Sequence, residues 1–265
     1  MSVERSLHKS TYDEPRVTGH PAWFDLTSPD VTRAAAFYHE VFGWAYGAQG
    51  ADYGNYHMAY VEGRVAAGMG QPPEGSDLPA AWTVYYAAED VDALTEDAKA
   101  RGATAVSEPF DVLEQGRMAV LQDPTGAVFG LWQAGVHIGA GISEVHGAMA
   151  WCEVNTPDAE AAGAFYGDLF GATAEVLEAA PSLYYVLKKG QESVGGILQM
   201  DEHWEGVPPH WMVYFEVADT DAAAGRAEAA GGHVCVPPFD TPFGRIAVLD
   251  DPLGATFSVV QPTKR

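Results

Sequence analysis

Two acidic residues in strand-like segments each follow a tryptophan by two positions. Asp25 follows Trp23, and Glu153 follows Trp151 at a shift of 128 residues. Side chains two positions apart on a regular strand share one face, so each acid should lie beside an indole. Such a carboxyl group could act as a general base or hold a ligand amine. The alternative is an ion pair at a strand end, because a buried carboxylate needs a partner.

Aromatic residues supply the other candidate binding surface. Trp23 and Trp151 could offer flat faces to an aromatic ligand, or they could pack in the core. Tyr85 and Tyr214 lie in two further segments rich in aromatic and β-branched residues, which is typical of strands. Because successive side chains on a strand point to opposite faces, some of these aromatics should line a pocket and others should pack.

Histidines and arginines form a third set of candidates. His57, His203 and His210 could join the two acids as catalytic residues or in a non-standard metal site, but they show no recognisable ligand spacing. The alternative for each is a hydrogen-bonded structural role. Arg117 and Arg245 follow a glycine at equivalent positions and could grip a carboxylate or phosphate, or hold the protein's own carboxylates.

The two cysteines, Cys152 and Cys235, form neither a CxxC pair nor a disulfide framework. Cys152 lies between Trp151 and Glu153, so it should point to the opposite face of that strand as a buried, unreactive thiol. No Ser-His-Asp, phosphate-loop or dinucleotide-binding pattern is evident, since fragments such as Gly68-Met69-Gly70 lack the strand-to-helix context.

An internal repeat positions these candidates. Residues 30–43 recur as residues 158–171, each beginning with Asp and containing Phe-Tyr-x3-Phe-Gly. The leading Asp suits a helix N-cap and the final Gly suits the position after the helix. Apolar residues between them recur at helical spacing. Two more helices are predicted over residues 90–100 and from about residue 219 to 231.

The repeat extends beyond these helices. Asp-Pro-x-Gly turns stand at residues 123–126 and 251–254, and Gly-Arg-x-Ala-Val-Leu stretches precede both. The sequence thus reads as an α+β protein of four βαβββ units. We expect a flexible leader over 1–17, domains over 18–135 and 145–262, and a linker over 136–144. Paired units should form a half-closed, mostly antiparallel barrel with helices outside, leaving a cup that could hold a ligand.

The Asp-led Phe-Tyr-x3-Phe-Gly helix and the late Asp-Pro-x-Gly turn, each present twice, resemble the glyoxalase / bleomycin-resistance / extradiol dioxygenase superfamily, also called the vicinal oxygen chelate fold. The resemblance covers nearly the whole chain. Within the superfamily, the chain is similar to a two-domain actinobacterial subgroup labelled glyoxalase-like or hydroxylase. It implies two tandem glyoxalase-like domains. In the superfamily's enzymes, His, Gln or Glu residues on the strands hold a divalent metal in the cup.

The residues at the expected metal-ligand positions depart from that pattern. Counting from the repeated motifs places the outer positions at Trp23, Gly130, Trp151 and Ser258. The inner positions fall near Gly68, Thr83, Gly196 and Met212. These are not the imidazole and carboxylate groups that hard or borderline cations prefer. We therefore expect no metal and no other cofactor.

Composition limits the partners. The chain has 37 acidic against 14 basic residues, a net charge of −23, so nucleic-acid binding is not expected. It has no apolar run of roughly 20 residues and no signal-peptide pattern, which favours a cytoplasmic protein without membrane contact. Four units in one chain favour a monomer.

Three functions fit these observations. The first is a metal-independent protein that binds a small apolar or aromatic metabolite for sequestration or self-resistance. The second is a glyoxalase-like lyase or isomerase, or a hydroxylase-type oxygenase, acting on a small carbonyl or aromatic compound. The third is an interaction protein without a ligand.

Overall fold

The computed structural model describes residues 10–48, 54, 56–73, 75, 78–180 and 182–263. The elements of the first half are β1 (Ser10–Thr11), β2 (Pro21–Thr27), α1 (Val31–Phe42), β3 (Ala45–Ala48), β4 (His57–Val61), β5 (Arg64–Gly70), β6 (Ala81–Ala87), α2 (Val91–Ala100), β7 (Thr104–Val112), β8 (Gly116–Gln122), β9 (Val128–Ala134) and β10 (Ile142–Ser143). Those of the second half are β11 (Met149–Thr156), α3 (Ala159–Phe170), β12 (Thr173–Val176), β13 (Tyr184–Lys189), β14 (Glu192–Gln199), a 3-10 helix (Glu202–Trp204), β15 (His210–Glu216), α4 (Thr220–Ala229), β16 (His233–Thr241), β17 (Gly244–Asp250) and β18 (Thr256–Pro262).

Apart from β1 and β10, the strands of the described residues form one eight-stranded sheet in each half. The first sheet has the order β3-β4-β5-β2-β6-β9-β8-β7, and the second has the equivalent order β12-β13-β14-β11-β15-β18-β17-β16. In both sheets, two βαβββ units join through an antiparallel pair, β2 with β6 and β11 with β15. The predicted α+β fold of four units in two tandem domains is confirmed, and each sheet curves into an open cup rather than a closed barrel.

The four α-helices of the described residues are each capped by a predicted aspartate. The carboxylates of Asp30, Asp90, Asp158 and Asp219 each accept a hydrogen bond from a backbone N–H in the first helical turn. These bonds satisfy donors that a helix N-terminus leaves free. The repeated helices α1 and α3 end at glycines with φ of 73° and 61°, a left-handed conformation that glycine adopts without steric strain.

The two domains pack through the faces opposite their cups. Trp82 and Tyr86 on β6 meet aromatic residues of the second domain, with ring centroids 5.1 Å from Phe215 and 4.5 Å from Phe170 respectively. Cys152 is buried in the same layer, with Sγ 3.8 Å from the Tyr86 hydroxyl. The prediction that Cys152 is buried on the strand face opposite Trp151 and Glu153 is therefore confirmed.

The repeated motifs bond to each other across this interface. Tyr166 of α3 donates a hydrogen bond of 2.7 Å to Asp123 in the turn of the first domain. Tyr38 of α1 points reciprocally at Asp251 in the turn of the second domain, at 3.4 Å. Each hydroxyl also accepts a bond of 2.9 Å from an indole, that of Trp82 or Trp211. The motifs that define the repeat therefore hold the two halves together.

Part of the expected leader is attached to the linker. Strand β1 pairs with β10, which lies inside residues 136–144, and Tyr12 donates its backbone N–H to the Gly141 carbonyl at 3.0 Å. Backbone pairing thus extends to residue 10, and the leader's first nine residues lie outside the described residues. Among the described residues, none of the helices has the length and apolar character needed to cross a membrane.

Candidate functional site

The concave face of the first sheet holds a hydrogen-bonded chain that ends on Asp25. The Trp23 indole donates to the Tyr56 hydroxyl at 3.1 Å, and that hydroxyl donates to Asp25 Oδ2 at 3.0 Å. Trp23 pairs in register with Tyr85 on β6, whose hydroxyl also hydrogen-bonds to Asp25. The carboxyl group thus lies between two phenols at the base of the cup.

The second sheet repeats this arrangement with a longer acid. The Trp151 indole donates to the Tyr184 hydroxyl at 2.7 Å, and Tyr184 donates to Glu153 Oε2 at 2.7 Å. Tyr214 donates to the other oxygen, Oε1, at 2.6 Å. Both oxygens of this buried carboxylate therefore have strong hydrogen-bond donors, which is what a carboxylate removed from water requires.

Each of these two hydrogen-bonded networks forms the floor of a cavity. The first cup, of about 360 Å³, is walled by Met58, Phe110, Leu113, Met118, Trp132 and His137. The second cup, of about 310 Å³, is walled by Leu177, Val186, Trp204, Phe239, Phe243 and Ile246. An apolar wall around a few convergent polar groups is typical of a site for a small molecule.

Burial changes the proton affinity of the groups on the floor of the first cup. Removal from water raises the pKa of Asp25 to about 6, although the hydrogen bonds from Tyr56 and Tyr85 oppose the increase. Burial, together with the nearby carboxylate, raises the pKa of both tyrosines well above the ordinary value. The tyrosines therefore stay protonated as donors at neutral pH, while Asp25 titrates close to neutrality.

Burial has the same effect on the pKa of the tyrosines on the floor of the second cup. It raises the pKa of Tyr184 and Tyr214 well above the ordinary value, and the Glu153 carboxylate adds to the effect. These two hydroxyls are therefore fixed donors to Glu153 in any physiological buffer.

The positions that would carry metal ligands lie together on these floors but do not fit a metal. In register, Asp25 is flanked by Gly68 and Thr83, and Tyr85 by Gly130. A Cβ at Gly68 would collide with the Tyr56 hydroxyl, and one at Gly130 would collide with the Tyr85 ring. The tyrosines thus occupy the space that a metal-binding side chain would need in the first cup.

The second cup shows the same substitution of tyrosine for a ligand. A Cβ at Gly196 would collide with the Tyr184 hydroxyl. Glu153 pairs with Gly196 on one side and Met212 on the other, while Tyr214 pairs with Ser258. Glycine and methionine are not ligands that hard cations accept, so this donor set does not fit the divalent metal that the resemblance implies.

The structure places five of the candidate site residues elsewhere. The His57 ring is half-buried beside Tyr46, with centroids 6.3 Å apart, and it is on the opposite strand face from Met58 of the first cup. Arg117 binds Asp92 and Asp111 at 2.6–2.9 Å, and Arg245 makes the equivalent ion pairs with Asp221 and Asp240. The arginines hold the protein's own carboxylates, so the interpretation as ligand-gripping groups is not supported.

His210 is the fourth candidate that the structure places outside the cups. Its Nδ1 lies 2.9 Å from the Pro208 carbonyl, which can only accept, so Nδ1 carries the proton. Nε2 then accepts from the Asn155 amide at 3.1 Å, and burial lowers the pKa of the ring. His210 is therefore a neutral, hydrogen-bonded residue, and it is not one of the residues that line the second cup. His203 is exposed and bonded to Asp201.

The sequence reasoning missed Tyr56 and Tyr184, which connect each tryptophan to its acid. Both stand 31 residues after the acid and 33 after the tryptophan. This equal spacing in the two halves was the available signal.

Comparison with known proteins agrees with the two-domain architecture. The family model described as the Glyoxalase/Bleomycin resistance protein/Dioxygenase superfamily matches residues 20–131 and again 148–259. The chain is 42% identical over 250 residues to "Putative glyoxylase CFP32" of Mycobacterium tuberculosis, covering 92% of this chain and 95% of the relative. It is 39% identical over 260 residues to "Anthracycline biosynthesis protein DnrV" of Streptomyces peucetius, covering 92% and 93%.

The fold is similar to that of solved structures with little sequence identity. The Mn(II)-bound glyoxalase of Novosphingobium aromaticivorans superposes with a TM-score of 0.63 at 16% identity, covering 92% of this chain and 82% of the other. A similarity at this identity concerns the fold and not the chemistry.

Proposed function

The chain belongs to the glyoxalase/bleomycin resistance protein/dioxygenase superfamily, and from this premise we propose that it binds a small apolar or aromatic metabolite in its cups without a metal. One observation carries the proposal: tyrosine rings fill the positions where a metal-binding side chain would stand, in both cups. A ligand would contact the indoles and phenols by their faces, and apolar burial would supply most of its affinity.

The acid on each floor would set polarity and orientation. Both oxygens of Glu153 accept tyrosine hydroxyls, and Asp25 accepts from two as well. Each carboxyl still has lone pairs, so a ligand hydroxyl or amine at the floor could donate to it. An acid held between two fixed donors is pre-organised, which reduces the entropy lost on binding.

The relatives favour an aromatic ligand. DnrV carries anthracycline biosynthesis in its name, and a polycyclic aromatic compound would suit walls built from tryptophan, tyrosine and phenylalanine. Sequestration of such a compound would be a self-resistance role.

Titration of the full chain with an anthracycline aglycone, followed by calorimetry and tryptophan fluorescence, tests the proposal. We expect saturable binding that Trp23→Ala and Trp151→Ala each weaken at one cup. An absence of saturable response across a panel of aromatic and apolar metabolites would refute it.

A glyoxalase-like lyase or isomerase, or a hydroxylase-type oxygenase, is the second candidate. The observation in its favour is that Asp25 titrates near pH 6, close to the value at which a general base works well. Turnover of the hemithioacetal that methylglyoxal forms with glutathione or mycothiol, abolished by Asp25→Asn, would support this reading. The third candidate, an interaction protein without a ligand, predicts filled cups, and the two cavities count against it.

A further inference from the structure

The β16–β17 hairpin of the second domain brings three different metal-binding groups together outside the cups. His233 and Cys235 stand on β16, and Asp250 ends the neighbouring strand β17. One ligand atom from each residue lies within 4.8 Å of the other two. The Cys235 sulfur is 3.6 Å from His233 Nδ1. An imidazole, a thiol and a carboxylate at such distances can point at one ion.

A β-bulge produces this arrangement. His233 pairs directly with Asp250, and the register then shifts between Val234 and Val236, so Cys235 is the extra residue. A bulge redirects side chains relative to a regular strand. His233 and Cys235 are exposed and Asp250 is half-buried, so an ion would reach the group from solvent.

The first domain builds the same hairpin without the three groups. Thr104 pairs with Gln122, and the register shifts at the same place, leaving Val106 as the extra residue. The bulge therefore forms without His, Cys or Asp. The three donors of the second domain are an addition to the scaffold rather than a requirement of it.

We propose that His233, Cys235 and Asp250 form a binding site for one borderline divalent cation of the zinc type. A thiolate and an imidazole select Zn²⁺ or Co²⁺ over Mg²⁺ and Ca²⁺, which prefer oxygen ligands. Three protein ligands leave a fourth tetrahedral position for water or a further ligand. The site stands at the far end of these strands from Phe239 and Ile246, which line the second cup, and it is independent of the proposed function.

Titration of the full-length protein with Co²⁺ alone tests the site. We expect one equivalent to produce a thiolate-to-cobalt charge-transfer band that Zn²⁺ abolishes and that a large excess of Mg²⁺ does not. Cys235→Ser should remove the band. Cys152→Ser, at the buried cysteine of the domain interface, is the matched control and should keep it, with circular dichroism establishing that both variants are folded.

Two further variants separate a built site from a thiol that binds metal alone. His233→Ala and Asp250→Asn should each weaken Co²⁺ binding on the order of tenfold or more. The triple substitution Thr104→His, Val106→Cys and Gln122→Asp, in the Cys235→Ser background, should restore one equivalent at the first domain. Absence of a thiolate band in the wild-type protein, or affinity unchanged in both single variants, overturns the proposal.

Discussion

Asn substitution of Asp25 should change how stability depends on pH. Burial raises the pKa of this carboxyl from the ordinary 3.8 to about 6. Because the folded-state value lies above the unfolded one, Asp25 contributes stability below about pH 4, and this contribution is lost as the pH rises through about 6. At neutral pH the folded protein holds a poorly solvated carboxylate, and Asp25→Asn removes it.

The magnitude follows from the two pKa values. A change from 3.8 to about 6 corresponds to about 3 kcal/mol of linkage. Between pH 4.0 and pH 7.5 about 2 kcal/mol of that should develop, because the unfolded carboxyl already titrates at the lower pH. The difference in unfolding free energy, variant minus wild type, should therefore rise by about 2 kcal/mol over this interval.

Urea unfolding followed by circular dichroism at pH 4.0 and 7.5 measures this difference. Comparison with the wild type at each pH cancels the titration of every other group. Glu89→Gln, which removes an exposed carboxylate, is the control against which the change for Asp25→Asn is compared. A variant-minus-wild-type difference for Asp25→Asn that is equal at both pH values would refute the reasoning.

Three more predictions concern other parts of the molecule. Tyr166→Phe should lower the unfolding free energy by about 2 kcal/mol and Tyr38→Phe by about 1 kcal/mol, because the first loses a shorter hydrogen bond to a buried carboxylate; equal losses in urea unfolding would contradict this. Gly196→Ala should displace Tyr184 and reduce stability by about 1–3 kcal/mol, whereas Gly225→Ala, which meets open space in α4, should not destabilise; thermal unfolding compares the two. Arg117→Ala should leave both stability and ligand affinity nearly unchanged, because its ion pairs are exposed; a loss of affinity in calorimetry would show that Arg117 contributes to the binding site.

The fold was predictable because its signals are local and occur twice. An aspartate at each helix start, a glycine after α1 and α3, and a proline–glycine turn before the last strand each specify local backbone geometry. Strand lengths were harder to predict from the sequence. Strand β7 extends over nine residues to Val112, because its pairing with β8 continues through two bulges. Pairing of β1 with β10 joins residues 131 and 133 positions apart and leaves no local signal.

The site was predictable only in part. Period-two alternation placed Trp23 and Asp25 on one face, and the register confirms it. The tyrosines that complete each floor lie outside the strand that carries the acid, so their contacts depend on sheet order. The equal spacing of Tyr56 and Tyr184 from their acids indicates an equivalent role in the two halves, but it does not give the contact itself. Arg117 and Arg245 could not be assigned by sequence, because an arginine's partner depends on which carboxylates the fold brings near it. Here each is taken by two aspartates.

Ligand binding by metal-free protein tests the central claim most directly. The Cys235→Ser variant should be used, so that an ion at the β16–β17 hairpin does not contribute. After chelation and elemental analysis, calorimetry with an anthracycline aglycone should give the same affinity before and after Zn²⁺, Mn²⁺ or Fe²⁺ is added back. Binding that appears only with added metal, or a stoichiometric metal that this variant retains together with glyoxalase turnover, would contradict the account.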